Sequence, residues 1–170
     1  QIFRDIYEES LKKNQEAIDA ICISSFDKNL DQPDARYVNL KYIRNDEWIF
    51  FSNYCGPKDN QFEKCNKISA TFYWHKTHTQ IRLKAEIKKT DSFFSDKHFL
   101  SRDKNKNAIA ISSKQSKKIN SYDEVVENYK RVLGSKNLFK RPNYWGGYSF
   151  TPSYFEFWNG HDSRLNRREV

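Results

Sequence analysis

Between Gln80 and Lys88 the side chains alternate without a break, Ile81, Leu83, Ala85 and Ile87 against Arg82, Lys84, Glu86 and Lys88. In extended backbone, successive side chains point to opposite faces, so this segment reads as a strand with one buried and one wet face. A parallel sheet covered on both sides would demand a near-continuous apolar run instead. The pattern steers the chain toward antiparallel β-structure.

The other segments fit that frame. Ala20 to Phe26, Arg36 to Ile43, Trp48 to Asn53 and Ile68 to Trp74 are rich in apolar and β-branched residues and read as strands. Asp27 to Asp34 has the Asn, Asp and Pro of a connection, and Arg44 to Glu47 the length of a hairpin turn. Trp145 to Phe150 and Tyr154 to Trp158 read as a final strand pair around Thr151 and Pro152. Helices are expected at the periphery. Phe3, Ile6, Tyr7 and Leu11 recur at helical spacing up to about Asn14, and Gly56 and Pro57 lead into a short helix over Lys58 to Cys65. Ser92 to Leu100 is a further helix, while Ser121 with Glu124 forms a capping box that opens Tyr122 to Leu133 before Gly134. Short strands with peripheral helices favour a small antiparallel barrel over a parallel α/β sheet.

The 170 residues suit one domain, residues 1–170. A chain that starts at Gln1 and holds no Met reads as a fragment whose N-terminal arm lies outside this sequence. Thirty Lys+Arg against 22 Asp+Glu give a net charge of +8, which favours an anionic partner: nucleic acid, membrane or a phosphorylated small molecule. The basic residues are scattered, without a run or zinc-finger spacing, which argues against a nucleic-acid binder. No apolar stretch approaches the ~20 residues that cross a bilayer. Cys22, Cys55 and Cys65 are odd in number and have no CxxC pair, so a reducing, cytoplasmic setting fits best. His75, His78, His98 and His161 show no paired spacing, so no metal centre is expected.

What remains is cation, amide and aromatic chemistry, suited to holding a cofactor that carries the reaction. Arg36 and Lys41 on one strand can serve neighbouring sites, although such residues are more often plain strand-end charges. The helix start at Gly56, Pro57 and Lys58 offers free N–H groups and a full charge to a phosphate, or is a simple helix start. The C-terminal segment, with Arg141, Pro142, Tyr144 to Tyr148, Phe155 to Trp158 and Arg164 to Arg168, gathers the rings, glycines and guanidinium forks from which a site for a planar anion can be built.

In order along the chain, these segments resemble the pyridoxamine 5'-phosphate oxidase family. Arg36 to Lys41 is similar to its R-x-V-x-L-K, and Phe51 with Ser52 to its aromatic-hydroxyl pair. Lys58 matches the lysine of the phosphate turn, Trp74 and Gln80 the W-H followed by Q, and Ser113 to Ser116 S-K-Q-S. Arg141 to Tyr148 matches R-P-x-x-W-G-G-Y, and Phe157, Trp158 and Gly160 precede an R-L-x-x-R ending at Arg168. Six such segments in register are strong where one would be weak.

The resemblance implies a mainly β (α+β) chain, an antiparallel split β-barrel with peripheral helices that works as a homodimer around FMN. It implies cofactor binding by Arg36, Val38, Lys41, Phe51, Ser52, Lys58, Gln80, Gln115, Ser116, Trp158 and Arg168, some of them across the dimer interface. Substrate binding falls to Lys41, His98, Arg102, Lys106, Arg164 and Asn166, with Arg164 the catalytic residue that covers the substrate ring. The implied reaction is oxidation of pyridoxamine or pyridoxine 5'-phosphate by O2. This chain departs from the family at His98 (usually Tyr), Lys106 (usually Ser), Asn166 (usually His) and Arg167 (usually Asp), and its phosphate turn reads Gly56, Pro57, Lys58 in place of Ser, Arg, Lys. An FMN enzyme of another small reduced ring, or a non-catalytic flavin binder, is compatible with the same residues.

Overall fold

The computed structural model describes residues 2–170. In chain order these form α1 (Ile2–Lys12), β1 (Ala20–Asp27), β2 (Gln32–Arg44), β3 (Glu47–Asn53), α2 (Pro57–Lys64), β4 (Lys67–Trp74) and β5 (Thr79–Lys89). They continue with α3 (Ser92–Ser101), α4 (Lys104–Ser112), α5 (Tyr122–Leu133), β6 (Trp145–Asn159) and β7 (Arg167–Glu169). The seven strands run β3-β2-β1-β4-β5-β6-β7, every pairing antiparallel, and β3 also pairs with β6. The first half of β6 closes a barrel on β3, whereas its second half carries β7, so the barrel is split along this strand. The β3–β6 pairing closes the edge along β3, while the first part of β2 and the short β7 keep one unpaired edge each.

The alternation in β5 is realised as expected: Ile81, Leu83, Ala85 and Ile87 are buried and the charged set faces outward. They meet Ile21 and Ile23 of β1, Phe50 of β3, Phe72 and Trp74 of β4, and Tyr148 and Phe150 of β6 in one core. α1 lays Phe3 against Trp48, Phe72 and Trp74. A smaller cluster, Phe99, Ala110 and Trp145 with Phe51 and Tyr144, fastens α3 and α4 to the barrel.

Several expectations need correction. The connection over Asp27 to Asp34 is shorter than its composition suggests, because β2 starts at Gln32 and Pro33 pairs with Phe26. β3 pairs with β2 only from Leu40 onward, so Pro33 lies where β2 needs no second ladder and its missing N–H is harmless. The final strand pair is one strand: β6 runs through Thr151 and Pro152, with the proline opposite Ala85 beside a register shift that takes up Ser153. Residues 104–112 form a helix absent from the sequence reading, capped by Asp103 Oδ1, which accepts from the Asn105 N–H at 2.8 Å. The capping box of α5 forms by one arm, Ser121 Oγ accepting from the Glu124 N–H at 3.2 Å, while the Glu124 carboxylate turns to Lys114.

Candidate active site

The end of β3 folds directly into a turn and helix start suited to an anion. Asn53 Oδ1 accepts from the Cys55 N–H at 2.6 Å, tightening the turn that delivers Gly56 as N-cap and Pro57 as first residue of α2. Lys58 follows, only 7% exposed, with no hydrogen bond or ion pair among the described residues. Burial, reinforced by the Arg36 charge, holds its ammonium below the ordinary lysine pKa. A methyl placed on Gly56 would sit 3.5 Å from both Lys58 Nζ and Ser116 Oγ, so these groups bound one small space at a helix N-terminus. Ser116 takes a left-handed φ of 63°, a strained conformation that places it there.

Arg36 enters from β2, opposite Ile23 of β1. Its Nη1 donates to Ser25 Oγ at 2.6 Å and its Nη2 to Gln61 Oε1 at 2.7 Å and to the Asp34 carboxylate. Hydrogen bonding from Gln61, then the Arg36 charge, keeps Asp34 below the usual carboxylate range.

On the other side lies an aromatic shelf. His98 stacks on Phe51 with centroids 3.7 Å apart and planes 12° from parallel, and Phe51 lies 5.3 Å from Trp145 at 13°. His98 Nδ1 and the Tyr42 hydroxyl are 2.8 Å apart. Burial, with Arg102 and Lys41 nearby, lowers the imidazole pKa from 6.5 to about 4, so the ring is neutral at physiological pH. Arg102 sits 4.4 Å over the Trp145 ring and donates from Nη2 to the Lys106 carbonyl at 3.1 Å. Its Nη1 is buried without a partner. A buried guanidinium N–H in that condition is costly unless something anionic meets it.

One cavity of about 550 Å³ joins the α2 start to the shelf. Arg36, Val38, Lys41, Phe51, Ser52, Lys58, His98, Arg102, Lys106, Gln115 and Ser116 all line it. Lys41 is also tied to Asp19 at 2.7 Å. Gln80, Trp158, Arg164, Asn166 and Arg168 do not line it. Gln80 pairs across the sheet with Trp158 and Trp158 with Arg168, whose Nε is 3.5 Å from the buried Glu156. Arg164 is exposed in the turn after β6 with φ 61°, and Asn166 Oδ1 accepts from the His161 N–H at 3.0 Å.

Sequence reasoning missed Asp34, Tyr37 and Asn39 as lining residues, and Tyr42 and Gln61 as partners of site side chains; Pro57 and Trp145, which also line the cavity, lay within segments read as suited to an anion without being named as site residues. Trp145 stood inside the W-G-G-Y motif, the one signal available for it. The glycines of that motif serve packing: a Cβ on Gly146 would fall 2.2 Å from the Tyr54 hydroxyl, and one on Gly147 2.6 Å from Thr90 Oγ1.

Comparison with known proteins places the chain in a family. The chain is 33% identical over 168 residues to pyridoxine/pyridoxamine 5'-phosphate oxidase 1 of Hydrogenovibrio crunogenus, covering 98% of this chain and 77% of the relative. The chain belongs to the pyridoxine/pyridoxamine 5'-phosphate oxidase family. A second oxidase of this family, from Pelagibacter ubique, is 32% identical over 152 residues, 88% of this chain and 73% of the relative. The family model for the pyridoxine 5'-phosphate oxidase C-terminal dimerisation region matches residues 145–170, from the start of β6 to the end of the chain. The fold is shared with PhzG from Burkholderia lata in complex with tetrahydrophenazine-1-carboxylic acid (TM-score 0.89, 19% identity, 98% of this chain and 82% of that one). It is shared too with a pyridoxamine 5'-phosphate oxidase-related, FMN-binding protein from Nostoc punctiforme (TM-score 0.74, 10% identity, 99% and 96%). Among the described residues, no helix is long and apolar enough to cross a membrane.

Proposed function

We propose that this chain is an FMN-dependent oxidase that converts pyridoxamine or pyridoxine 5'-phosphate to pyridoxal 5'-phosphate with O2, as a cytoplasmic homodimer. The observation that carries this reading is a single cavity lined at one end by Lys58, whose ammonium has no protein partner among the described residues, and at the other by Arg102. One suits the phosphate of the cofactor and the other the phosphate of the substrate, with an aromatic shelf in the same cavity.

The residues present fit FMN. Lys58, the N–H groups of the α2 start and the Ser116 hydroxyl would hold its phosphate, with Arg36 alongside, and Ser52 and Gln115 are positioned to hydrogen-bond other polar atoms. When bound, FMN would supply the hydride acceptor and the route to O2. Lys41, Arg102 and Lys106 would anchor the substrate phosphate, and neutral His98 adds a donor or acceptor without adding charge. The alcohol substrate would lose two hydrogens to O2, giving aldehyde and peroxide. The amine would be oxidised likewise to an imine, which water hydrolyses to aldehyde and ammonia. The chain's task is alignment of substrate and cofactor, and no protein nucleophile is needed.

Gln80, Trp158, Arg164, Asn166 and Arg168 would reach a site through a second copy, consistent with the dimerisation region that spans most of them. Arg164 would then cover the substrate ring. A second reading, oxidation of another anionic reduced ring, is favoured by His98 on the Phe51 shelf and by the engagement of Asn166 with the His161 backbone. Incubating FMN-loaded protein in air with each vitamer phosphate, and measuring pyridoxal phosphate and peroxide, separates the two. Product supports the first, and its absence from both vitamers with FMN retained supports the second.

A further inference from the structure

We propose that Gln61 is a positioning residue for the phosphate end of the cavity, acting through Arg36; this rests on reading that cavity as an FMN site. Gln61 is 3% exposed and lies one turn after Lys58 on α2. Its Oε1 accepts from Ser25 Oγ at 2.6 Å and from Arg36 Nη2 at 2.7 Å. Its Nε2 donates to Asp34 Oδ2 at 3.2 Å and to Asp27 Oδ2 at 3.3 Å. A primary amide has two acceptor lone pairs and two N–H donors, so all four capacities are used and the amide has one satisfied orientation.

That orientation matters for the guanidinium. Arg36 is bounded by Ser25 at Nη1, with Gln61 and Asp34 at Nη2, and the Gln61 oxygen also ties down the Ser25 hydroxyl. Without Gln61, the Nη2 edge keeps only the half-exposed Asp34 carboxylate, and Arg36 can swing outward with it. The Gln61 N–H groups oppose this by holding Asp34 in place. Gln61 therefore joins β1, β2 and the helix that carries Lys58, fixing the spacing of the two cations that a phosphate would meet. Its own side chain is absent from the cavity lining.

A structural role alone would alter stability and weaken every flavin alike. A positioning role for the phosphate predicts a selective effect, read by comparing FMN with riboflavin, which lacks the phosphate. For wild type and Gln61→Met, dissociation constants of both would be measured by fluorescence titration of the apoprotein. FMN affinity is expected to fall about fivefold to tenfold, the scale of one misplaced hydrogen bond, with riboflavin affinity unchanged. Gln61→Glu retains an oxygen for Arg36 and Ser25, so it is expected to keep more of the FMN preference than Gln61→Met despite a loss of stability; should the Met variant not fold, Gln61→Leu, which likewise lacks that oxygen, carries the test. An unchanged FMN-to-riboflavin ratio in the folded Met or Leu variant overturns the inference alone. Wild type that does not prefer FMN to riboflavin overturns the cavity reading and the inference with it.

Discussion

Replacing Lys58 by Met should make the apoprotein more stable and its cofactor binding worse. The side chain is 7% exposed and its ammonium has no protein partner among the described residues. Burial first, and Arg36 second, lower its pKa in the folded chain. A lysine whose folded pKa is depressed carries its full folding cost at neutral pH, where both states are charged, and loses that cost only as pH rises toward the unfolded value. Met keeps the length and removes the charge, so the apoprotein should gain on the order of 1 kcal/mol, or roughly 2–4 °C in Tm for a domain of this size. The loaded protein should lose the hydrogen bond from a charged donor to phosphate, about 1.5–3 kcal/mol, which is about a 10- to 150-fold rise in the Kd for FMN. Riboflavin binding should stay within about twofold if the ammonium meets only the phosphate. Thermal unfolding of the apoprotein and flavin titrations give all three values. A lower apoprotein Tm, or equal weakening of FMN and riboflavin, would refute the assignment of Lys58 to a preformed phosphate cradle.

Three further perturbations address other parts of the account. Gly146→Ala drives a methyl into the Tyr54 hydroxyl and should cost about 1–3 kcal/mol in urea unfolding; adding Tyr54→Phe should recover part of it, and no recovery would point to a different cause. His98, with a folded pKa of about 4 against 6.5, binds fewer protons folded than unfolded, so its share of stability is lost as pH falls from about 6.5 to 4. After allowance for partial exposure this share is about 1–2 kcal/mol, and His98→Asn should flatten the pH dependence of Tm across that window; parallel curves would show that His98 does not titrate as described. Arg164→Ala should retain FMN while turnover falls by about two orders of magnitude or more, as expected when a group that orients the substrate is removed. Loss of FMN with unchanged residual turnover would contradict that role.

The barrel was legible because its signals are local. The alternation over Gln80 to Lys88, the Gly56-Pro57 helix start and the Ser121 cap each depend on a few adjacent residues, and each is found where its pattern placed it. Errors arose where long-range pairing overrode local chemistry. Pro33 and Pro152 look like connection residues, yet each is absorbed into a strand where no second ladder bond is required or where a bulge takes up the slack. α4 has a weak amphipathic pattern, its burial falling on Asn107, Ala108 and Ala110, and β7 is three exposed charged residues that only the neighbouring strand makes extended.

The site divides in the same way. Residues inside ordered motifs, such as Arg36, Lys58, Gln115 and Ser116, converge on the cavity. The groups that hold them do not announce themselves: Gln61 meets Ser25 from 36 residues away and Tyr42 meets His98 from 56, distances over which no spacing rule operates. The paired glycines in W-G-G-Y look like cofactor-contact residues from composition, and the structure gives them to Tyr54 and Thr90 instead. Gln80, Trp158 and Arg168 are brought together by strand register, away from the cavity.

The most direct test of the central claim is the visible spectrum of the FMN-reconstituted protein before and after anaerobic addition of pyridoxamine 5'-phosphate, followed by admission of air. The account predicts that the flavin band bleaches without oxygen and returns with it, leaving pyridoxal 5'-phosphate in solution. Protein that takes up no FMN, or an FMN band that neither pyridoxamine nor pyridoxine 5'-phosphate changes, would contradict it.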